Sequence, residues 1–140
     1  MFLLDTNVVS ELRKVAAGKA DAGVSSWARA TDANAMFISV ITVHELEHGV
    51  RLAERRDRRK GALLRQWLDG SVLPGFAGRI LAVDVEAARA AVGLHVPDPA
   101  PFRDALIGAS ALVHGMTVVT RNVVDFERFP GIRVLNPWKK

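Results

Sequence analysis

The sequence predicts an α/β protein built on a parallel sheet that is covered on both faces. Three observations carry this expectation. Short, mainly apolar runs at 1–4, 37–40, 79–83, 117–120 and 132–135 alternate with longer stretches of helical character, the pattern of successive βα units. Hydrophobic residues make up 49% of the 140, enough for a full core without covalent staples. No internal repeat, low-complexity tract or long linker divides the chain, so a single domain over residues 1–140 is expected.

Met1-Phe2-Leu3-Leu4 reads as a short buried strand, followed by a short helix over 6–14. A loop at 18–23 leads into a helix over 24–30 with Trp27 turned inward, and residues 32–35 turn the chain into the strand at 37–40. Thr42 is a suitable N-cap with Glu45 three residues on, so a helix is expected from there to about Arg58. Gly61 follows its charged end, and a second helical stretch over 62–69 is closed by Gly70. Pro74, Gly75 and Gly78 mark a loop before the third strand, 79–83. Residues 86–92 read as helix and 93–101, with three prolines, as loop. A helix from Phe102 to His114 ends at Gly115 as its C-cap, and the strands at 117–120 and 132–135 complete the set.

Four acids mark the chemistry. Asp5 follows the first strand, Glu45 lies at the start of the helix after the second, Asp104 is early in the helix before the fourth, and Asp125 lies in the loop after the fourth. In an open parallel sheet such positions converge on the crevice at the carboxyl ends of the strands. Carboxylates gathered there repel one another unless a hard cation holds them, and oxygen ligands suit Mg²⁺ or Mn²⁺. The pattern points to a metal-dependent enzyme acting on phosphodiesters. Each acid also has a purely structural alternative. Asp5 could cap a helix, Glu45 could close a capping box with Thr42, Asp104 could complement a helix dipole, and Asp125 could be a turn acid. Asp84, after the third strand, passes the same local test. Thr6 and Asn7, beside Asp5, could orient a carboxylate or a water, or satisfy the first helical turn.

A rival motif shares the helix of Glu45. His44-Glu45-Leu46-Glu47-His48 spells H-E-x-x-H, which on a zinc-peptidase helix sets two imidazoles on one face with the glutamate as general base. Against it stand the charged Glu47 between the histidines and the lack of motif context for a third ligand at His95 or His114. On the structural reading, Val43, Leu46 and Val50 are the core face of this helix and the histidines lie outside it.

Charge is concentrated. Residues 51–65 carry Arg51, Arg55, Arg56, Arg58, Arg59, Lys60 and Arg65 against Glu54 and Asp57, while the rest of the chain holds twelve basic and thirteen acidic residues. One segment therefore supplies the whole net charge of +4, and a polyanion such as RNA would be drawn to it. A solvated helical face is the alternative. The absence of cysteine excludes disulfides, thiolate metal sites and a cysteine nucleophile, and permits a cytoplasmic location. The opening apolar run has no basic flank, so no signal peptide is expected, and no stretch approaches the ~20 apolar residues of a membrane span.

Taken together these residues resemble a known family. Met1-Phe2-Leu3-Leu4-Asp5-Thr6-Asn7-Val8-Val9-Ser10-Glu11-Leu12 is similar to the opening of PIN-domain ribonucleases of the VapC type, especially the FitB-like branch. Ser39-Val40-Ile41-Thr42-Val43-His44-Glu45-Leu46 with Gly49 resembles their second acidic motif, and Asp104-Ala105-Leu106-Ile107-Gly108-Ala109 their third. Val118-Val119-Thr120-Arg121-Asn122, then Asp125-Phe126 and Asn136-Pro137-Trp138, resembles their closing region. The resemblance implies a three-layer α/β/α fold with a five-stranded parallel sheet of order 3-2-1-4-5, which puts the third strand at an edge and sets Asp84 aside. It implies Mg²⁺- or Mn²⁺-dependent RNA cleavage leaving a 5′-phosphate, a homodimer, and a small DNA-binding antitoxin that blocks the site. Asp5 and Asp104 are then the principal metal ligands, with Glu45 and Asp125 completing the set and Thr6, Asn7, Thr120 and Asn122 supporting them. Many family members carry an aspartate where this chain has Asn122, and Asp125 stands in for it. An inactive PIN-like module that binds RNA or a partner without cutting is the other reading of the same residues.

Overall fold

Leu3 and Leu4 are adjacent, fully buried, and belong to different cores, because successive side chains of a strand point to opposite faces of the sheet. Val118 and Val119 divide in the same way. A strand buried on both sides has no polar face to alternate with, which is why these runs read as continuously apolar. In the computed structural model, which describes residues 1–138, the elements follow in the order β1 (Phe2–Leu4), α1 (Thr6–Leu12), α2 (Ala22–Ala30), a 3₁₀ turn (Ala33–Ala35), β2 (Met36–Ser39), α3 (Val40–Arg56), α4 (Arg58–Trp67), a π-helical turn (Leu68–Val72), α5 (Leu73–Gly75), β3 (Ile80–Leu81), α6 (Val85–Gly93), α7 (Phe102–His114), β4 (Thr117–Val119), α8 (Val123–Glu127) and β5 (Arg133–Leu135).

The five strands form one parallel sheet of order β3-β2-β1-β4-β5. One face is packed by α6, α7 and α8 through Ala91, Leu106, Ile107 and Phe126. The other is packed by α1, α3 and the turn after α4 through Val8, Val9, Leu46, Val50 and Leu68. This is the three-layer α/β/α arrangement expected from the sequence. The order reverses between β1 and β4, so the crevice of the sheet opens at their carboxyl ends, beside Asp5 and Thr120. No described helix is long and apolar enough to cross a membrane.

Several local expectations are corrected. Strand β2 stops at Ser39, whose hydroxyl accepts from Ile41 N at 3.0 Å and caps α3; Thr42 is fully buried inside the first turn and is not the cap. Glu45 therefore lies in the second turn, not at the helix start. Helix α3 ends at Arg56, and Asp57 caps α4 by accepting from Arg59 N and Lys60 N. Gly61 lies within α4 and does not precede it. A Cβ at Gly61 would fall 2.3 Å from Glu54 Cα, so the glycine permits the close crossing of α3 and α4. Gly70 does not end the helical stretch either, because the chain continues through the π-helical turn into α5. The third strand shrinks to two residues, and Asp125 sits in α8 where a loop was expected. Helix α7 and its cap at Gly115, with φ +65°, match the sequence reading.

Two glycines of the α3–α4 hairpin should respond oppositely to alanine. Gly61→Ala meets backbone and should destabilise the fold by about 1–3 kcal/mol, the usual cost of overpacking. Gly49→Ala, in an exposed helix interior with open space around it, should stabilise by roughly 0.5–1 kcal/mol. Urea unfolding midpoints of the two variants check the pair.

Candidate active site

Asp5 is placed by the end of β1: its N–H donates to Val119 O of β4 at 2.9 Å, pinning it at the point where the sheet order reverses. Its carboxylate does two things at once. Oδ1 accepts from Thr6 N at 2.8 Å and caps α1, while Oδ2 accepts from Thr120 Oγ1 at 2.8 Å and from Asn7 Nδ2 at 3.3 Å. The capping alternative is thus realised on one oxygen and leaves the other facing the crevice. Thr120 is fully buried, and its Oγ1 also accepts from Asn122 N at 3.0 Å. Asn7 Oδ1 accepts from Arg121 N at 3.2 Å, tying the start of α1 to the loop after β4.

Glu45 is held from the start of α1. Thr6 Oγ1 donates to Glu45 Oε1 at 2.8 Å, and buried Thr42 Oγ1 lies 3.3 Å from that same hydroxyl. The capping-box alternative fails, since Glu45 reaches across to α1 and not back along its own helix. Arg103 Nη1 stands 3.8 Å from Glu45 Oε2. Asp104 lies in the first turn of α7, half-buried, and Asp125 in the first turn of α8.

The electrostatics show that the four acids share one region. Asp5 is 6% exposed, and its carboxyl is pushed above the ordinary value of 3.8 by burial. The hydrogen bonds from Thr120 and Thr6 oppose that rise, and the charges of Glu45 and Asp125 add to it. Asp104 is pushed up to about 6, first by burial and then by repulsion from Asp5, Asp125 and Glu45, with Arg128 pulling the other way. Asp5 and Asp104 therefore feel Glu45 and Asp125 through space although the sequence scatters the four over 120 positions, from Asp5 to Asp125.

Carboxylate oxygens alone make a hard donor set, which suits Mg²⁺ or Mn²⁺. The upward shifts are the mark of negative charge left uncompensated, which a cation would relieve. As the side chains stand, no three His, Asp or Glu among the described residues enclose a metal position. Asp5 is turned onto its threonine and backbone partners and Glu45 onto Thr6. The zinc alternative fares worse: His44 and His48 are both exposed on α3, Glu45 is engaged elsewhere, and Glu47 pairs with Arg51 and Arg65.

The basic segment divides in two. Arg65 binds Glu47 through both terminal nitrogens at 2.8 and 2.7 Å, reaches Glu54 at 3.2 Å and stands 3.5 Å from Asp69, while Arg51 binds Glu47 at 2.7 Å. The pairing with Arg65 and Arg51 holds the Glu47 carboxyl down at about 2. Arg65 knits α3 to α4, while Arg51 braces Glu47 within α3 and stays exposed. Arg55, Arg56, Arg58, Arg59 and Lys60 are exposed, but at the far end of the hairpin; Arg56 is about 16 Å along α3 from Glu45. The cations nearest the acids are Arg103 and Arg128, which the sequence reading passed over. Their signal was available for Arg103, which adjoins Asp104. Thr42 was noticed but given the wrong role. The side chain of Asn122 caps nothing, and its backbone N–H is what supports Thr120.

Residues 2–132 match the family model of the PIN domain. Over 99% of both chains, the sequence is 35% identical to the VapC ribonuclease Y4jK of Sinorhizobium fredii. The fold superposes on the crystal structure of FitAcB from Neisseria gonorrhoeae with a TM-score of 0.88 and 33% identity, covering all of both chains. It also resembles a toxin-antitoxin complex from Klebsiella pneumoniae, at a TM-score of 0.67, 26% identity and 98% of each chain.

The raised value at Asp104 sets a stability prediction. Folding lifts this carboxyl from 3.8 to about 6, so the folded chain binds the proton more tightly, and stability falls as pH rises through that window. In EDTA at pH 8, Asp104→Asn should raise stability by on the order of 1 kcal/mol, allowing for solvent screening of a half-buried group. The gain should vanish below about pH 4, where both proteins carry a neutral group. Thermal melts across that range check it.

Proposed function

The chain belongs to the PIN-domain family, and from that premise we propose that it is a divalent-metal-dependent endoribonuclease, the toxic member of a toxin–antitoxin pair. The observation that carries this is the placement of Asp5 at the switch point of the sheet, with Glu45, Asp104 and Asp125 near enough that their charges raise Asp5 or Asp104. Likeness to a VapC ribonuclease and to a toxin-antitoxin complex supports the choice of RNA as substrate and of an antitoxin as partner.

In this reading Asp5 and Asp104 hold the cation, Mg²⁺ or Mn²⁺, with Glu45 and Asp125 completing its surroundings. The cation, when bound, lowers the pKa of water to supply the nucleophile and neutralises charge growing on the phosphoryl oxygens. The protein's own part is positioning. Thr120 and Asn7 fix Oδ2 of Asp5, the α1 backbone fixes Oδ1, and Thr6, backed by Thr42, aims Glu45. These hydrogen bonds limit the rotamers that each carboxylate samples, and the acids would turn from them toward the cation when it binds. In-line attack leaves a 5′-phosphate and a 3′-hydroxyl, and the 2′-hydroxyl takes no part. RNA is then chosen by shape and unpaired bases. The exposed cations from Arg55 to Lys60 lie far enough from the acids to engage only distal parts of a bound RNA. The protein works in the cytoplasm as a homodimer, and a small antitoxin with its own DNA-binding part covers the cleft.

Antitoxin-free protein incubated with a mixed pool of structured RNAs should cut in Mg²⁺ or Mn²⁺ and not in EDTA. Asp5→Asn should lower the rate at least a hundredfold with unchanged circular dichroism, because asparagine still caps α1 while losing the charge. Cutting by this variant at the wild-type rate would falsify the assignment. A well-folded wild type that binds RNA equally with and without metal, and never cuts it, would mark a binding module instead.

A further inference from the structure

Phe102, the first residue of α7, is 70% exposed, and it is an aromatic side chain at the mouth of a highly charged cleft. A cavity of about 500 Å³ is lined by Glu45, Pro101, Phe102, Arg103 and Asp104, within the range of sites that take small ligands. Arg103 is half-exposed there, and its 3.8 Å approach to Glu45 is an ion pair without a hydrogen bond, so the guanidinium donors remain free. Asp125 lines a second cavity of about 390 Å³ with exposed Val124, Arg121 and Asn136, but without an aromatic ring in its lining. Glu45 and Asp104 line the first cavity and Asp125 the second.

Resting on the nuclease reading, we infer that Phe102 and Arg103 form the subsite for the unpaired nucleotide next to the scissile phosphate, Phe102 stacking on its base and Arg103 binding its phosphate. The ligand that fills this cavity must present a flat apolar face to Phe102 and an anion to Arg103. A nucleotide meets both demands, since it carries a π-face for the ring and an anion for the guanidinium. When the phosphate arrives Arg103 exchanges one anion for another, and Glu45 keeps its bond from Thr6. The subsite accepts single strands, because a paired base has no free face to stack.

The test uses the full chain and labelled single-stranded RNA dodecamers, intact or with one base removed at successive positions. Binding is read in EDTA, and KM and kcat after Mn²⁺ is added. Phe102→Ala should weaken binding roughly tenfold, as loss of one stacked base does, with Phe102→Trp restoring it. The loss should appear in KM and leave kcat nearly unchanged. One abasic position should weaken wild type and have no further effect on Phe102→Ala. Arg103→Ala should lower the salt dependence of binding by about one phosphate contact, with Arg103→Lys recovering most of it. Phe102→Ala that binds as wild type, or that changes only the oligomeric state, overturns the subsite. Wild type that binds through Phe102 yet never cuts overturns the nuclease reading and leaves the subsite standing.

Discussion

A carboxylate almost fully buried beside three others of like charge is the constraint around which this fold is arranged. Burial of an unpaired charge is expensive, and each further carboxylate adds to the cost. Asp5 is tolerated because its oxygens receive a backbone N–H, a threonine hydroxyl and an asparagine amide. Those donors come from α1 and from the residue after β4, so the same bonds that quiet the charge also lock the two central strands together at their carboxyl ends. Asp104 is lifted first by its own burial and then by the charges of Asp5, Asp125 and Glu45.

The layers on either side make that arrangement possible. Both faces of the sheet are sealed by apolar side chains, so the polar groups have only the carboxyl edge of the strands to occupy. Hydroxyl groups do most of the local work: Thr6, Thr42 and Thr120 each contact an acid or one another, and two of the three are fully buried. A threonine donates to a carboxylate without adding charge, and so limits its rotamers without cancelling its pull on a cation. The ion-pair cluster of Arg51 and Arg65 with Glu47 lies on the α3–α4 hairpin, where it sets helix packing and leaves the acids to themselves.

The fold and three of the acids were legible in the sequence for a physical reason. Alternating strands and helices fix where carboxyl ends fall, and Asp5, Glu45 and Asp104 stand at those ends or within a turn or two of them. What misled was local chemistry that tertiary contacts overrule. Thr42 looks like a cap, but Ser39 caps α3 because the strand ends one residue earlier and buries Thr42 beside Thr6. Gly61 looks like a break, but it is the point where two helices touch backbone to backbone. Arg65 looks like part of a surface for polyanions, yet its partner Glu47 lies 18 positions away and becomes a neighbour only when the hairpin closes. The reverse error concerns Arg103, which is one charge among many in the sequence and stands beside Glu45 in the fold. Asp84, which passes the same local test in the sequence, caps α6 after the edge strand β3.

The central claim is that the four carboxylates form one site for a hard divalent cation. Titration of Mn²⁺ into the chain at neutral pH, followed by electron paramagnetic resonance, tests it without reference to any RNA. The account requires saturable binding by wild type and by His44→Ala, and its loss in both Asp5→Asn and Asp104→Asn. No saturable binding by wild type, or binding that survives both aspartate changes and disappears with His44, would contradict it.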